Sequence, residues 1–157
     1  MQISDLLSPE GVLPSLKVKD KKHLLQQLAD RAAQLTRVPQ ARILETLVER
    51  ERLGTTGVGQ GIAIPHGRLA EIRKITGIFA KLETPIEYDA VDNQPVELVF
   101  MLLAPEGAGA DHLKALARVS RLLRNQSACE KLRKATTGEA LYAILTEPPT
   151  GASSVAA

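Results

Sequence analysis

The chain holds no tryptophan, two tyrosines and two phenylalanines among 157 residues. Single-stranded nucleic acid is held by bases stacked on aromatic rings, so this sequence offers no such platform. Duplex binding finds no support either. The formal net charge is only +2, and a phosphate backbone calls for a concentrated basic surface. One cysteine, Cys129, excludes an intrachain disulfide. With three histidines, no H-E-x-x-H and no other short-spaced ligand pair, no metal centre is predicted. No pair of carboxylates is marked out for hydrolysis. No apolar run approaches the roughly 20 residues of a membrane-spanning helix. The longest, 96–104, reads as a buried strand, so no membrane segment and no permease function are expected of this chain alone. The lone cysteine and the lack of a leader-like start predict a cytoplasmic location.

What is present fits one α/β domain over 1–147, followed by a flexible tail at 148–157 of small, uncharged residues. Asp20 caps a predicted helix over 21–35, with Leu24, Leu25, Leu28, Ala32 and Leu35 as its apolar stripe. A second helix runs over 39–54, from Pro39 to Gly54, with Ile43, Leu44, Leu47 and Val48 inward. Strands are predicted at 62–64, 75–82 and 96–103, the last being the most apolar and therefore central. Asp111 is the expected cap of a helix through 123. Short helices follow at 127–134 and 138–146, the last with a capping box in Thr136-x-x-Glu139. Alternating strands and helices define the α/β class.

The densest signal is the run Gly57-Val58-Gly59-Gln60-Gly61-Ile62-Ala63-Ile64-Pro65-His66-Gly67. Glycines permit close backbone approach, and proline fixes the exit from the Ile-Ala-Ile segment. His66 is therefore expected at the end of a short strand with little side-chain bulk around it. Pattern alone reads such a run first as a loop with a solvated histidine. It is neither a dinucleotide fingerprint nor a phosphate loop, because the spacing is not G-x-G-x-x-G and no Gly-Lys-Ser/Thr follows.

The other histidines divide by helical face. His23 falls opposite the leucines of its helix and reads as a surface residue. His112, placed at the first helical position after Asp111, shares a face with Leu116, Val119 and Leu123, so it points inward. A satisfied core histidine is the default for it, and a helix N-terminus keeps such an imidazole neutral.

The string GIAIPHG, with Arg50-Glu51 before it and His112-Leu113 after it, resembles the phosphorylation site of phosphotransferase-system IIA proteins of the mannitol/fructose type. Arg50 stands sixteen positions before His66 and His112 forty-six after it, which is that family's register. The strings Arg52-Leu53-Gly54-Thr55-Thr56-Gly57 and Tyr88-Asp89-Ala90-Val91-Asp92-Asn93-Gln94-Pro95-Val96 look most like its nitrogen-related, regulatory branch. The likeness covers about residues 3–146. It implies a mixed β-sheet flanked by helices, and phosphorylation of His66 at Nε2 with Arg50 and His112 assisting. It further implies no cofactor, a histidine phosphocarrier protein (HPr-like) as donor, and regulatory target proteins bound according to phosphorylation state. A sugar-specific IIA component passing phosphate to a IIB permease component is the alternative. A binding module with the fold but no phosphoryl chemistry is a third, weakened by the intact Arg50, His66 and His112.

Physical chemistry fits the first of these. A neutral imidazole, with an ordinary pKa of about 6.5, needs no base to attack phosphorus at neutral pH. Charge spread over the phosphoryl oxygens calls for fixed donors. Arg50 lies at one edge of the Ile43/Leu47 stripe and Arg52 at the other; either also reads as a partner of Glu49 or Glu51, and only the register selects Arg50. Thr55, Thr56 and the N–H groups of 57–61 are expected as further donors or as turn residues. Val58 and Ile62 are expected as apolar docking contacts. Lys114, Arg118 and Arg121, with Arg124 at the edge, read as a solvated helix face or as a surface that steers an acidic partner.

Overall fold

A computed structural model describes residues 1–148; the tail expected at 148–157 lies, beyond Pro148, outside the described residues. The elements in chain order are β1 (Val12–Leu16), α1 (Lys21–Thr36), α2 (Gln40–Arg52), β2 (Gly57–Gly59), β3 (Ile62–Ala63), β4 (His66–Leu69), β5 (Thr76–Ile86), β6 (Val96–Pro105), α3 (Gly109–Arg124), α4 (Gln126–Lys134) and α5 (Gly138–Leu145). They form the predicted single α/β domain, a mixed sheet flanked by helices.

The sheet runs β1-β5-β6-β3-β2, with β4 also on β6. The apolar strand is central: β6 pairs antiparallel with β5 and parallel with both β3 and β4. Both its faces are covered, which is why VELVFMLL shows no polar alternation. Val99, Met101 and Leu103 pack with α1 and α2, whereas Leu98, Phe100 and Leu102 pack with α3, α4 and α5. Ile43 and Leu47 are fully buried, with Leu44 and Val48 packed against them. On α1 the stripe stops short of its end, because Leu35 is exposed.

The segment that carries the histidine motif is an interrupted strand laid along β6. Ile62 and Ala63 pair with Leu98 and Val99, and His66 to Leu69 pair with Leu102 to Pro105. Pro65 lies in the gap; it has no N–H for the ladder, yet its carbonyl accepts from Leu102 N at 3.0 Å. The upstream glycines build a hairpin between β2 and β3. Its two turn residues, Gln60 and Gly61, have φ of 57° and 80°, which suits a tight turn of the right twist.

Several expectations need correction. His66 opens a strand and does not close one, since the strand predicted at 62–64 ends at Ala63 and the next begins at His66. Strands β1, β2 and β4 are too short for period-two patterning to reveal. Strand β5 continues past 82 to Ile86. Asp111 does not cap α3: the helix begins at Gly109, directly after a 3-10 turn at Glu106–Ala108. Asp111 lies in the first turn, where a carboxylate also suits the dipole, and His112 is the fourth helical residue. The cap of α5 is Thr137, not Thr136, its hydroxyl accepting from Ala140 N.

Candidate functional site

The three residues singled out by register converge. Arg50 lies in the last turn of α2, His66 at the start of β4 and His112 in the first turn of α3. The imidazoles of His66 and His112 meet edge to face, their centroids 5.7 Å apart. The approach of α2 depends on Gly67: a Cβ there would stand 2.5 Å from Thr46 Cγ2. That contact sits one helical turn before Arg50, so the missing side chain on β4 lets the arginine reach the histidine.

His66 is half-buried, not the uncrowded group its glycine-rich setting suggests. Its Nδ1 lies 2.8 Å from the carbonyl oxygen of Ile64, which only accepts, so Nδ1 carries the proton. Nε2 is left with its lone pair, and it accepts from Arg50 Nε at 3.2 Å. Arg50 is itself anchored, Nη1 donating to the Gly54 carbonyl at 2.9 Å. Burial, above all, lowers the His66 pKa from its ordinary value; the Ile64 hydrogen bond opposes this, and the Arg50 charge adds to it. A ring so placed is neutral at pH 7 with the tautomer fixed from behind.

His112 is 4% exposed and faces inward as expected. Its Nδ1 accepts from Arg68 Nε at 3.1 Å, so the proton sits on Nε2, which has no partner among the described residues. Its pKa is lowered by burial first, then by His66 and Arg68. Arg68 is not among the residues that the family register marks. In a strand, residues i and i+2 share a face, and a strand opening at His66 puts Arg68 beside it; ending the strand at 64 hid that signal.

The cleft between these groups measures about 440 Å³. Leu53 (85% exposed) and Leu113 (64% exposed) form an apolar rim. Other sequence candidates lie elsewhere. Arg52 pairs with Glu49 at 2.9 Å. The Thr55 hydroxyl accepts from Gly57 N. Thr56 is buried and bonded to Glu51 and Tyr88, and Gln60 N donates to Asp92. Val58 is exposed but lines a different groove, and Ile62 is buried. Nδ1 of His23, in the first turn of α1, accepts from Lys19 N. Glu51 ties the end of α2 to its surroundings, accepting from Lys21 Nζ at 2.8 Å, Tyr88 Oη at 3.1 Å and Thr56 N at 3.1 Å. Arg118, expected on a solvated face, is buried. Among the described residues no cluster of His, Cys, Asp or Glu is placed to hold a metal ion, and no helix is long and apolar enough to cross a membrane.

Residues 5–147 match the family model described as "Phosphoenolpyruvate-dependent sugar phosphotransferase system, EIIA 2", and the chain belongs to that family of phosphotransferase components. Its relatives there include nitrogen regulatory proteins and fructose-specific components. The chain is 55% identical over 153 residues to a nitrogen regulatory protein of Bradyrhizobium diazoefficiens, covering 98% of this chain and 100% of the relative. It is 40% identical over 148 residues to that of Escherichia coli, covering 94% and 91%. The crystal structure of nitrogen regulatory protein IIA-Ntr from Neisseria meningitidis superposes with a TM-score of 0.87 at 36% identity, covering 92% of this chain and 99% of that one. IIA mannitol from Escherichia coli, at 18% identity and a TM-score of 0.75 over 88% of this chain and 97% of that one, shares the fold.

Proposed function

We propose that His66 Nε2 is the phosphoryl acceptor, and that the chain regulates partner proteins through its phosphorylation state. The observation that carries this reading is the state of one ring: its Nδ1–H is held by the Ile64 carbonyl while its Nε2 lone pair faces Arg50 in the cleft. The donor is a histidine phosphocarrier protein, itself charged from phosphoenolpyruvate. In the transfer the Nε2–P bond forms as the donor's N–P bond breaks, and the donor imidazole leaves with the electron pair. The proton on Nδ1 stays, so the His66 ring gains positive charge, which the Ile64 carbonyl stabilises. Arg50 Nε shifts from Nε2 to a phosphoryl oxygen. His112 Nε2–H donates to another, and Arg68 holds His112 in the required tautomer. Fixed donors of this kind are what a loose phosphoryl-transfer transition state requires.

The product places about −1.5 to −2 charge between Leu53 and Leu113. A partner that packs against this apolar rim then meets a dianion, so one modification switches the contact. The place of action is the cytoplasm, where phosphoenolpyruvate feeds such carriers. Incubation with phosphoenolpyruvate and the two upstream carrier proteins tests the assignment by intact mass. The wild type gains one phosphoryl group and His66→Ala gains none; phosphorylation of His66→Ala refutes it. Arg50→Ala and His112→Ala slow transfer while remaining folded, and unchanged rates in both remove them from the mechanism.

A further inference from the structure

Remote from the His66 cleft, a groove of about 280 Å³ opens where α3, α4 and α5 meet. Three cations line it: Arg118 and Arg121 from α3, and Lys131 from α4. None of the three belongs to an ion pair found among the described residues. Arg118 is only 8% exposed, and its Nε has no hydrogen-bond partner among the described residues. Burying a guanidinium without a counter-charge is costly, and both burial and the Arg121 charge disfavour its protonated form. The start of α4 lies in the same wall. Asn125 caps it by accepting from Ala128 N, so by helix geometry the N–H of Ser127, in the lining, has no acceptor in a preceding turn. Glu147 stands at the edge as the one carboxylate of the lining among the described residues, and Leu122 and Ile144 supply apolar floor.

We propose that this groove is a second anion site, taking a small phosphate-bearing molecule such as a diphosphate or a phosphate ester. Three cations against one carboxylate suit a dianion. Arginine forks bind phosphate oxygens in pairs, and a helix N-terminus adds backbone donors. The volume lies at the small end of ligand sites, near 300 Å³, which favours a compact molecule over a peptide. Arg118 lies six residues beyond His112 on the same helix, about 9 Å of rise, so the site is separate from the phosphorylated ring.

Titration of the full chain with inorganic diphosphate, followed by amide NMR at fixed ionic strength, tests the site. Saturable shifts are expected at the Ser127 and Ala128 amides, with chloride giving none. Arg121→Ala/Lys131→Ala is expected to weaken binding at least tenfold. Arg118→Met does the same where thermal melting shows it folded, and the exposed pair decides where it does not fold. Arg50→Ala leaves these shifts in place. The proposal is overturned by absent or chloride-like shifts, by undiminished affinity in the double variant, or by loss of the shifts in Arg50→Ala, which would trace them to the His66 cleft. A phosphoserine peptide that binds more tightly than diphosphate overturns the small-molecule assignment.

Discussion

Gly67→Ala separates the role of backbone approach from that of the reacting groups. The added methyl would stand 2.5 Å from Thr46 Cγ2, with Thr46 Cβ at 3.7 Å and its carbonyl oxygen at 3.8 Å. Ordinary contact needs about 3.5–4 Å, so helix and strand must part by roughly 1 Å. Thr46 yields little, because its hydroxyl is bonded to the Arg42 carbonyl at 3.0 Å and a β-branched side chain is stiff at χ1. Overpacking of this size costs about 1–3 kcal/mol, a fall in melting temperature on the order of 5 °C for a domain of this length. The larger effect falls on transfer, because Arg50 rides on α2 and its 3.2 Å bond to His66 opens with the helix. Misplacement near 1 Å costs about 100-fold in rate. The assay is single-turnover phosphorylation of Gly67→Ala by the charged phosphocarrier, with melting measured in parallel. Thr46→Ser removes only the offending methyl, so Gly67→Ala/Thr46→Ser is expected to recover most of both losses. Wild-type rates in Gly67→Ala, or no recovery in the double variant, would refute the reasoning.

Four further outcomes are expected. Both His66 and His112 have lowered pKa values, so the unfolded chain takes up protons first as pH falls below about 6.5. Their contribution to stability is intact above that pH and is lost as pH falls through the folded values. Melting temperature should therefore drop more steeply in acid for the wild type than for His66→Ala/His112→Ala, and equal slopes would count against two neutral rings. Arg68→Ala should slow transfer roughly tenfold, in keeping with ~1.5 kcal/mol for one charge-assisted hydrogen bond, and should shift the His112 ring nitrogens in ¹⁵N spectra toward a mixed tautomer; unchanged spectra would remove Arg68 from that role. Glu51→Ala deprives Lys21, Tyr88 and Thr56 of their common acceptor, and a loss of about 2–3 kcal/mol is expected in urea unfolding, with a loss below 0.5 kcal/mol (about the scale of an ordinary surface change) contradicting it. Fructose- and mannitol-type IIB domains should accept no phosphate from the charged chain; efficient transfer would favour the sugar-specific alternative.

The amino-acid sequence by itself determined the α/β class, the central place of β6 and the two helices before the motif. Each rests on a local pattern: apolar faces recurring along 21–35 and 39–54, and an apolar run at 96–103, interrupted only by Glu97, that suits a strand covered on both sides. The resemblance of GIAIPHG and its flanking strings to the phosphotransferase IIA family marked Arg50, His66 and His112 through that family's register. The tertiary structure alone decided what those residues touch. Strands β1, β2 and β4, of three to five residues, carry too little periodicity to be read, so β4, and with it Arg68, emerged only from pairing with β6. The close approach that brings Arg50 to His66 depended on the methyl-free face of Gly67. The burial of Arg118 depended on α4 and α5 folding back over α3. Hydrogen-bond direction and depth of burial arise between segments distant in the chain, and no local pattern encodes them.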